Sequence, residues 1–151
     1  MPVYKHILVP TDGSKLSLKA AREASALART LKARITAVYV IAPYMPVLET
    51  EGAILHNYGY DERTYTKATE AHAVAALAKV AACAAAAKVK CNELHVIGAQ
   101  PWEAILRAAK KGKCDLIVMA SHGRKGLASL FLGSETQKVL AHSAIPVLVC
   151  R

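Results

Sequence analysis

Aromatic residues supply only 5% of this 151-residue chain, and they are mostly tyrosine: six Tyr, one Trp and one Phe. A core with so few rings must rest on Ala, Val, Leu and Ile, which favours buried parallel strands and helices lined with alanine. Cysteine is also sparse. Cys83, Cys91, Cys114 and Cys150 are widely spaced and form no C-x-x-C pair. That argues against a zinc site or a disulfide framework and leaves reduced, mostly buried thiols as the expectation. No apolar run approaches the roughly 20 residues of a membrane-spanning helix. After Met1-Pro2 the chain goes straight into a strand pattern without a signal peptide, so a cytoplasmic protein with no membrane partner is expected. Also missing is any Gly-x4-Gly-Lys-Ser/Thr, which disfavours a P-loop ATPase.

Acidic residues are in deficit, 11 against 20 lysines and arginines, for a formal net charge of +9. A basic surface lowers the free energy of approach to any polyanion. The cations are scattered along the chain, however, from Lys5 through Lys19, Arg22, Lys32, Arg63 and Lys90 to Lys113 and Arg151. No RNP-like aromatic platform or recognition-helix signature accompanies them, so no specific nucleic-acid partner is expected.

The length suits one domain, residues 1–151, able to bury a core without metal or disulfide support. Val3 to Val9 reads as a strand closed by Pro10, and Ser14 can cap a helix in which Leu16, Ala20, Ala24, Leu27 and Leu31 recur at helical spacing. Ile35 to Ile41 is a second strand, stopped by Ala42-Pro43. From Tyr44 to about Thr64 no period is evident, and a connection of that length is more often functional or mobile than structurally required. Its tyrosines, with Tyr65, can shield a ligand or pack on their own domain. An alanine-dominated helix runs from Tyr65 to Lys88, and Asn92 to Ile97 is strand three. Pro101 opens a helix from Trp102 to Lys111 that Gly112 ends. Asp115 to Met119, the helix Ser134 to His142 and the strand Val147 to Cys150 complete the chain. Alternating strands and helices imply right-handed crossovers and a parallel sheet covered on both faces.

The chemistry concentrates where Ala120-Ser121-His122-Gly123 is followed, nine residues later, by Gly133-Ser134-Glu135-Thr136. A glycine-bearing loop between a buried strand and a helix start lets backbone N–H groups approach an anion, with the helix dipole adding favourable potential. Ser134 with Gln137 has the spacing of a capping box. Asp12, at the end of strand one, can be a ligand carboxylate or simply close an Asx-turn. His122 suits a loop-ordering hydrogen bond, and Arg124 and Lys125 can face phosphates or solvent.

This spacing resembles the nucleotide loop of the universal stress proteins, Gly-x2-Gly-x9-Gly-Ser/Thr, with Ala120 in place of the first glycine. Ile7-Leu8-Val9-Pro10-Thr11-Asp12-Gly13-Ser14, Asp115-Leu116-Ile117-Val118-Met119 and Ile145-Pro146-Val147-Leu148-Val149 agree with the family as well. The resemblance implies an α/β fold with a single doubly wound five-stranded parallel sheet in the order 3-2-1-4-5. That is an adenine-nucleotide alpha-hydrolase-like, Rossmann-like sandwich. It further implies that ATP, with Mg or Mn, is bound by Pro10, Thr11, Asp12, Val40, Met119, Ala120, Gly123, Gly133, Ser134, Glu135 and Thr136.

The implied function is a small regulatory homodimer in stress response, paired through the C-terminal strand, with at most slow ATP hydrolysis. The alternative is a dimeric interaction module of the same family that does not bind nucleotide, for which Ala120 is the main support: an alanine forced to positive φ would be strained. An adenylylating enzyme of the wider superfamily is disfavoured, since nothing like His-x-Gly-His follows strand one.

Overall fold

The computed structural model describes residues 3–46, 61–123 and 131–151. The elements alternate as expected: β1 (His6–Pro10), α1 (Lys15–Leu31), β2 (Arg34–Ile41), α2 (Glu62–Ala86), β3 (Cys91–Ile97), α3 (Pro101–Lys111), β4 (Leu116–Ala120), α4 (Ser134–His142) and β5 (Val147–Cys150). The strands form one sheet in the order β3-β2-β1-β4-β5, every pairing parallel. β1 starts later than its apolar pattern suggests. Val3 is 76% exposed, and the N–H groups of Lys5 and His6 donate to the Asp115 carboxylate at 2.9 and 3.0 Å instead of to a strand. α2 starts before Tyr65 because Asp61 caps it, accepting from the Thr64 N–H at 2.7 Å.

Strand alternation sorts the core into two layers. Ile7, Val9, Leu116, Val118 and Ala120 pack with Ala20, Ala24 and Ala28 of α1 and Leu77 and Val80 of α2. Leu8, Val38, Ile117 and Met119 pack with Ile105, Ala108 and Ala109 of α3 and Val139 of α4. The alanines at the helix contacts let helix backbones lie close to the sheet, which is how a core nearly without rings is filled. The four cysteines are all free, Cys114 and Cys150 buried and Cys83 and Cys91 half-buried. Burial pushes the Cys114 thiol up to about 11 and the Cys150 thiol up to about 12, so both stay protonated. Among the described residues no helix is long and apolar enough to cross a membrane.

Three helix-to-strand turns share one geometry. Lys32, Lys88 and Lys113 lie at φ of 56°, 58° and 52°. In each turn the next residue, Ala33, Val89 or Cys114, donates its N–H back to the carbonyl five residues earlier at 2.9 Å. This is the Schellman closure, which usually takes glycine at the left-handed position because a Cβ there costs about 1–2 kcal/mol. Gly112, expected to end α3, is its C-cap with φ −78°; the left-handed residue is Lys113.

Candidate functional site

In the order β3-β2-β1-β4-β5 the winding reverses between β1 and β4, and the carboxyl ends of these strands open a crevice there. The structure brings Asp12, Gly123 and Gly133 to this crevice. Pro10 is the last residue of β1 and is buried. Thr11 continues the strand direction, its N–H donating to the Val38 carbonyl at 2.9 Å. The Thr11 hydroxyl lies 3.1 Å from Ser17 Oγ and accepts from the Gly13 N–H at 3.1 Å, which anchors the turn to α1. Asp12 Oδ1 accepts from the Ser14 N–H at 2.9 Å, the Asx-turn geometry. Its other oxygen faces Gly123: a Cβ built there would stand 2.5 Å from Asp12 Oδ2. The two loops therefore meet at a carboxylate and a missing side chain.

Neither crevice glycine is required by its dihedral angles, since Gly13 is the one described glycine with positive φ, at 81°. Gly133 is required for space. A Cβ there would come within 3.0 Å of His122 Cα and 3.3 Å of the Ser121 carbonyl oxygen, and that carbonyl accepts the Gly133 N–H at 2.7 Å. His122 Nδ1 lies 3.1 Å from Ser121 Oγ, a local bond that orders the loop.

The capping box does not form. Gly133, at φ −59°, is the N-cap of α4, Ser134 is the first helical residue, and Gln137 turns its amide to the Leu132 carbonyl at 2.7 Å. A glycine cap has no side chain to offer, and among the described residues the first-turn N–H groups at Ser134, Glu135 and Thr136 meet no acceptor. α1 and α2, by contrast, are capped by Ser14 and Asp61. Thr136 is one of the residues that the resemblance assigns to the nucleotide. It is buried and donates to the Ala120 carbonyl at 3.0 Å, tying the start of α4 to the end of β4. The Glu135 carboxylate accepts from the Trp102 N–H at 2.9 Å and so caps α3, whose own N-cap, Gln100, makes no such bond. The outcome is an N-terminus pinned by side chains that point away from it.

Ala120 belongs to β4 and is paired with Cys150. Its backbone is not at positive φ, and its methyl lies in the core layer beneath α1 and α2. The strain argument against this residue therefore lapses. Met119 is buried, and half-buried Val40 packs on the same α3/α4 layer. Arg124 and Lys125 fall outside the described residues, as does most of the long connection. At its ends, Tyr44 and Tyr65 rings pack 5.6 Å apart and the Tyr65 hydroxyl donates to the Ala42 carbonyl at 2.8 Å. These two serve their own domain.

The model of the universal stress protein family matches residues 3–151. The chain belongs to that family. It is similar to a universal stress protein of Thermus aquaticus, 36% identical over 149 residues, which covers 99% of this chain and 100% of the other. A universal stress protein of Methanocaldococcus jannaschii is 34% identical over 151 residues, covering 99% of this chain and 83% of its own length. Among solved structures, a universal stress protein in complex with cAMP superposes with a TM-score of 0.71 at 26% identity, covering 98% of this chain and 97% of that one. In this universal stress protein the residue that sequence reasoning passed over is Gly13. The Asp12-Gly13 dipeptide is a turn signal, and the positive φ at its second residue is what turns the chain from β1 into α1.

Proposed function

We propose that this universal stress protein binds an adenine nucleotide, ATP with a divalent cation, in the β1/β4 crevice and acts as a cytoplasmic regulatory dimer rather than a turnover enzyme. The observation that carries the reading is the uncapped start of α4, held at the winding switch next to Asp12 and Gly123. Three backbone N–H groups at a helix N-terminus with no acceptor among the described residues suit phosphate oxygens, and the glycines leave the backbone accessible to them. Val40, Met119 and Pro10 supply apolar surface where a base can lie. The single carboxylate fits a Mg ion that takes its other ligands from phosphates and water; a protein cage is not needed. The cAMP complex of a relative with the same fold supports an adenine ligand.

The dimer is supported by the edge of β5, where Leu148 is 45% exposed and the outer backbone groups face no strand among the described residues. Because the Ala120 methyl lies in the core, this residue gives no reason to prefer the interaction module without nucleotide.

Mg-ATP should raise the melting temperature. A ligand selective for the folded state adds about 2.7 kcal/mol at a hundredfold excess over its dissociation constant, which corresponds to roughly 5–11 °C for a domain of this size. An unchanged melting curve at millimolar Mg-ATP, together with silent calorimetry, overturns the nucleotide reading.

A further inference from the structure

The scattered cations of the sequence are gathered by the fold. In a parallel sheet every helix-to-strand turn returns to the same end, opposite the β1/β4 crevice. Lys32, Lys88 and Lys113 occupy three of those turns. Lys5, Arg34 and Lys90 stand at the starts of β1, β2 and β3, linked by the Arg34 N–H to the Lys5 carbonyl at 3.0 Å and the Ile35 N–H to the Lys90 carbonyl at 2.8 Å. Arg29, Lys110 and Lys111 lie in the last turns of α1 and α3. All nine are exposed. Asp115 lies at this end with both its oxygens taken by the Lys5 and His6 N–H groups, and exposed Glu93 stands near the start of β3, close enough to act on Cys91.

Ordinary structural needs do not account for this grouping. A cation near a helix C-terminus complements the dipole, but α1 and α3 already have Arg29, Lys110 and Lys111 for that purpose. A second cation at the left-handed position adds backbone strain that glycine would avoid. The register that pairs Ile35 with Cys91 sets Arg34 beside Lys90 on the neighbouring strand, about 4.8 Å away, an arrangement that is itself repulsive, while Lys5, before the His6–Arg34 pair, stands one position off. The charges lie close enough to reinforce one another within a Debye length or two at physiological salt.

We propose that this face binds the phosphate backbone of duplex nucleic acid without reading its sequence. A backbone-tracking surface needs clustered lysine and arginine and nothing that reaches base edges. Single-strand binding would need exposed rings for stacking, whereas Tyr4, the aromatic at this end, is packed against the core. Attachment to an anionic membrane would call for an apolar wedge among the cations, and Val3 is the lone large exposed apolar residue here among the described residues.

The test is fluorescence anisotropy of the full chain with two short labelled DNA duplexes of unrelated sequence across a salt series. The two duplexes should bind equally, with log affinity falling linearly with log salt. Lys32→Gly, Lys88→Gly and Lys113→Gly combined should weaken binding about tenfold or more and make the slope shallower by about three. Glycine suits these dihedrals, so the variant should stay folded. If it does not, Lys5→Gln, Arg34→Gln and Lys90→Gln combined give the same readout. Arg22→Gln, Arg63→Gln and Lys67→Gln, which remove equal charge elsewhere, should keep the original slope. No duplex binding at low salt overturns the proposal, and so does an equal loss in both triple variants. Binding to vesicles containing anionic phosphatidylglycerol but not to duplex also overturns it, in favour of a membrane surface. The readout is independent of the crevice, so failure of the nucleotide reading leaves it intact.

Discussion

Alanine at Gly123 and alanine at Gly133 should separate binding from stability, because the obstacles a new Cβ would meet differ in kind. At Gly123 the obstacle is Asp12 Oδ2, 2.5 Å away, the tip of a short side chain that can rotate. Rotation gives the methyl room but carries Oδ1 off the Ser14 N–H. Water replaces that bond at the loop surface, so the folding cost is about 1 kcal/mol, or roughly 2–4 °C. At Gly133 the obstacles are His122 Cα and the Ser121 carbonyl, both backbone. Overpacking of this kind costs about 1–3 kcal/mol. The φ of −59° is one alanine adopts freely, so reduced unfolded-state entropy returns about 0.4–1 kcal/mol.

Gly123→Ala should therefore melt close to wild type yet lose about 1.5–3 kcal/mol of Mg-ATP affinity if Asp12 makes a charge-assisted contact, which is roughly 10–150-fold. Gly133→Ala should lose stability and affinity together. Calorimetry on both variants, with Asp12→Asn and the Asp12→Asn/Gly123→Ala double variant, closes the cycle. If Gly123 acts through Asp12, the double variant binds no worse than Asp12→Asn alone. Wild-type affinity in Gly123→Ala, or strictly additive losses in the double variant, refutes the coupling of the two loops.

His6 is buried, with Nε2 2.8 Å from Thr36 Oγ1. Burial and the Arg34 charge hold its pKa below the usual histidine value, against smaller opposing effects of the Gly112 backbone and Asp115. The unfolded chain then binds the extra proton first, so stability is complete above about pH 6.5 and falls as pH drops below it, by up to about 1.4 kcal/mol per pH unit from this group. His6→Gln should flatten denaturant-derived stability between pH 7 and 5, and an unaltered profile refutes the assignment. Lys113→Gly relieves about 1–2 kcal/mol of left-handed strain and returns about 0.4–1 kcal/mol through the freer unfolded chain, so the melting temperature should rise by a degree or more; a fall would show that the lysine side chain stabilises the turn. Leu148→Lys should yield monomers in light scattering, whereas Val147, which packs against the α3/α4 layer, would test folding as well; a Leu148→Lys dimer rejects the β5 interface.

What the sequence made legible is what depends on local period and on spacing. The alternation of strands and helices came from apolar periodicity, which carries no order, and the strand order came only from the family resemblance that the loop motif and its flanking landmarks carry. Ser14 was readable as a cap because a cap is a local device. Ser134 has the same local credentials, and the structure gives the cap to Gly133 instead, because the helix start is fixed by the Gly133 N–H on Ser121 and by the Thr136 hydroxyl on Ala120. Both partners are at the end of another element, beyond the reach of a capping pattern. The capping role of Glu135 was not legible for the same reason, as its partner is Trp102 on α3.

Ala120 misled in the opposite direction. Its departure from the motif looked functional while the direction of its methyl was unknown, and the pleat of β4 turns that methyl into the core with Leu116 and Val118. The lysines are the largest case. Along the chain Lys32, Lys88 and Lys113 are tens of residues apart, but each occupies the same position of a recurring helix-to-strand turn. A parallel sheet brings equivalent turns to one end, so a charge pattern that looks random in sequence becomes a single surface once the topology is known.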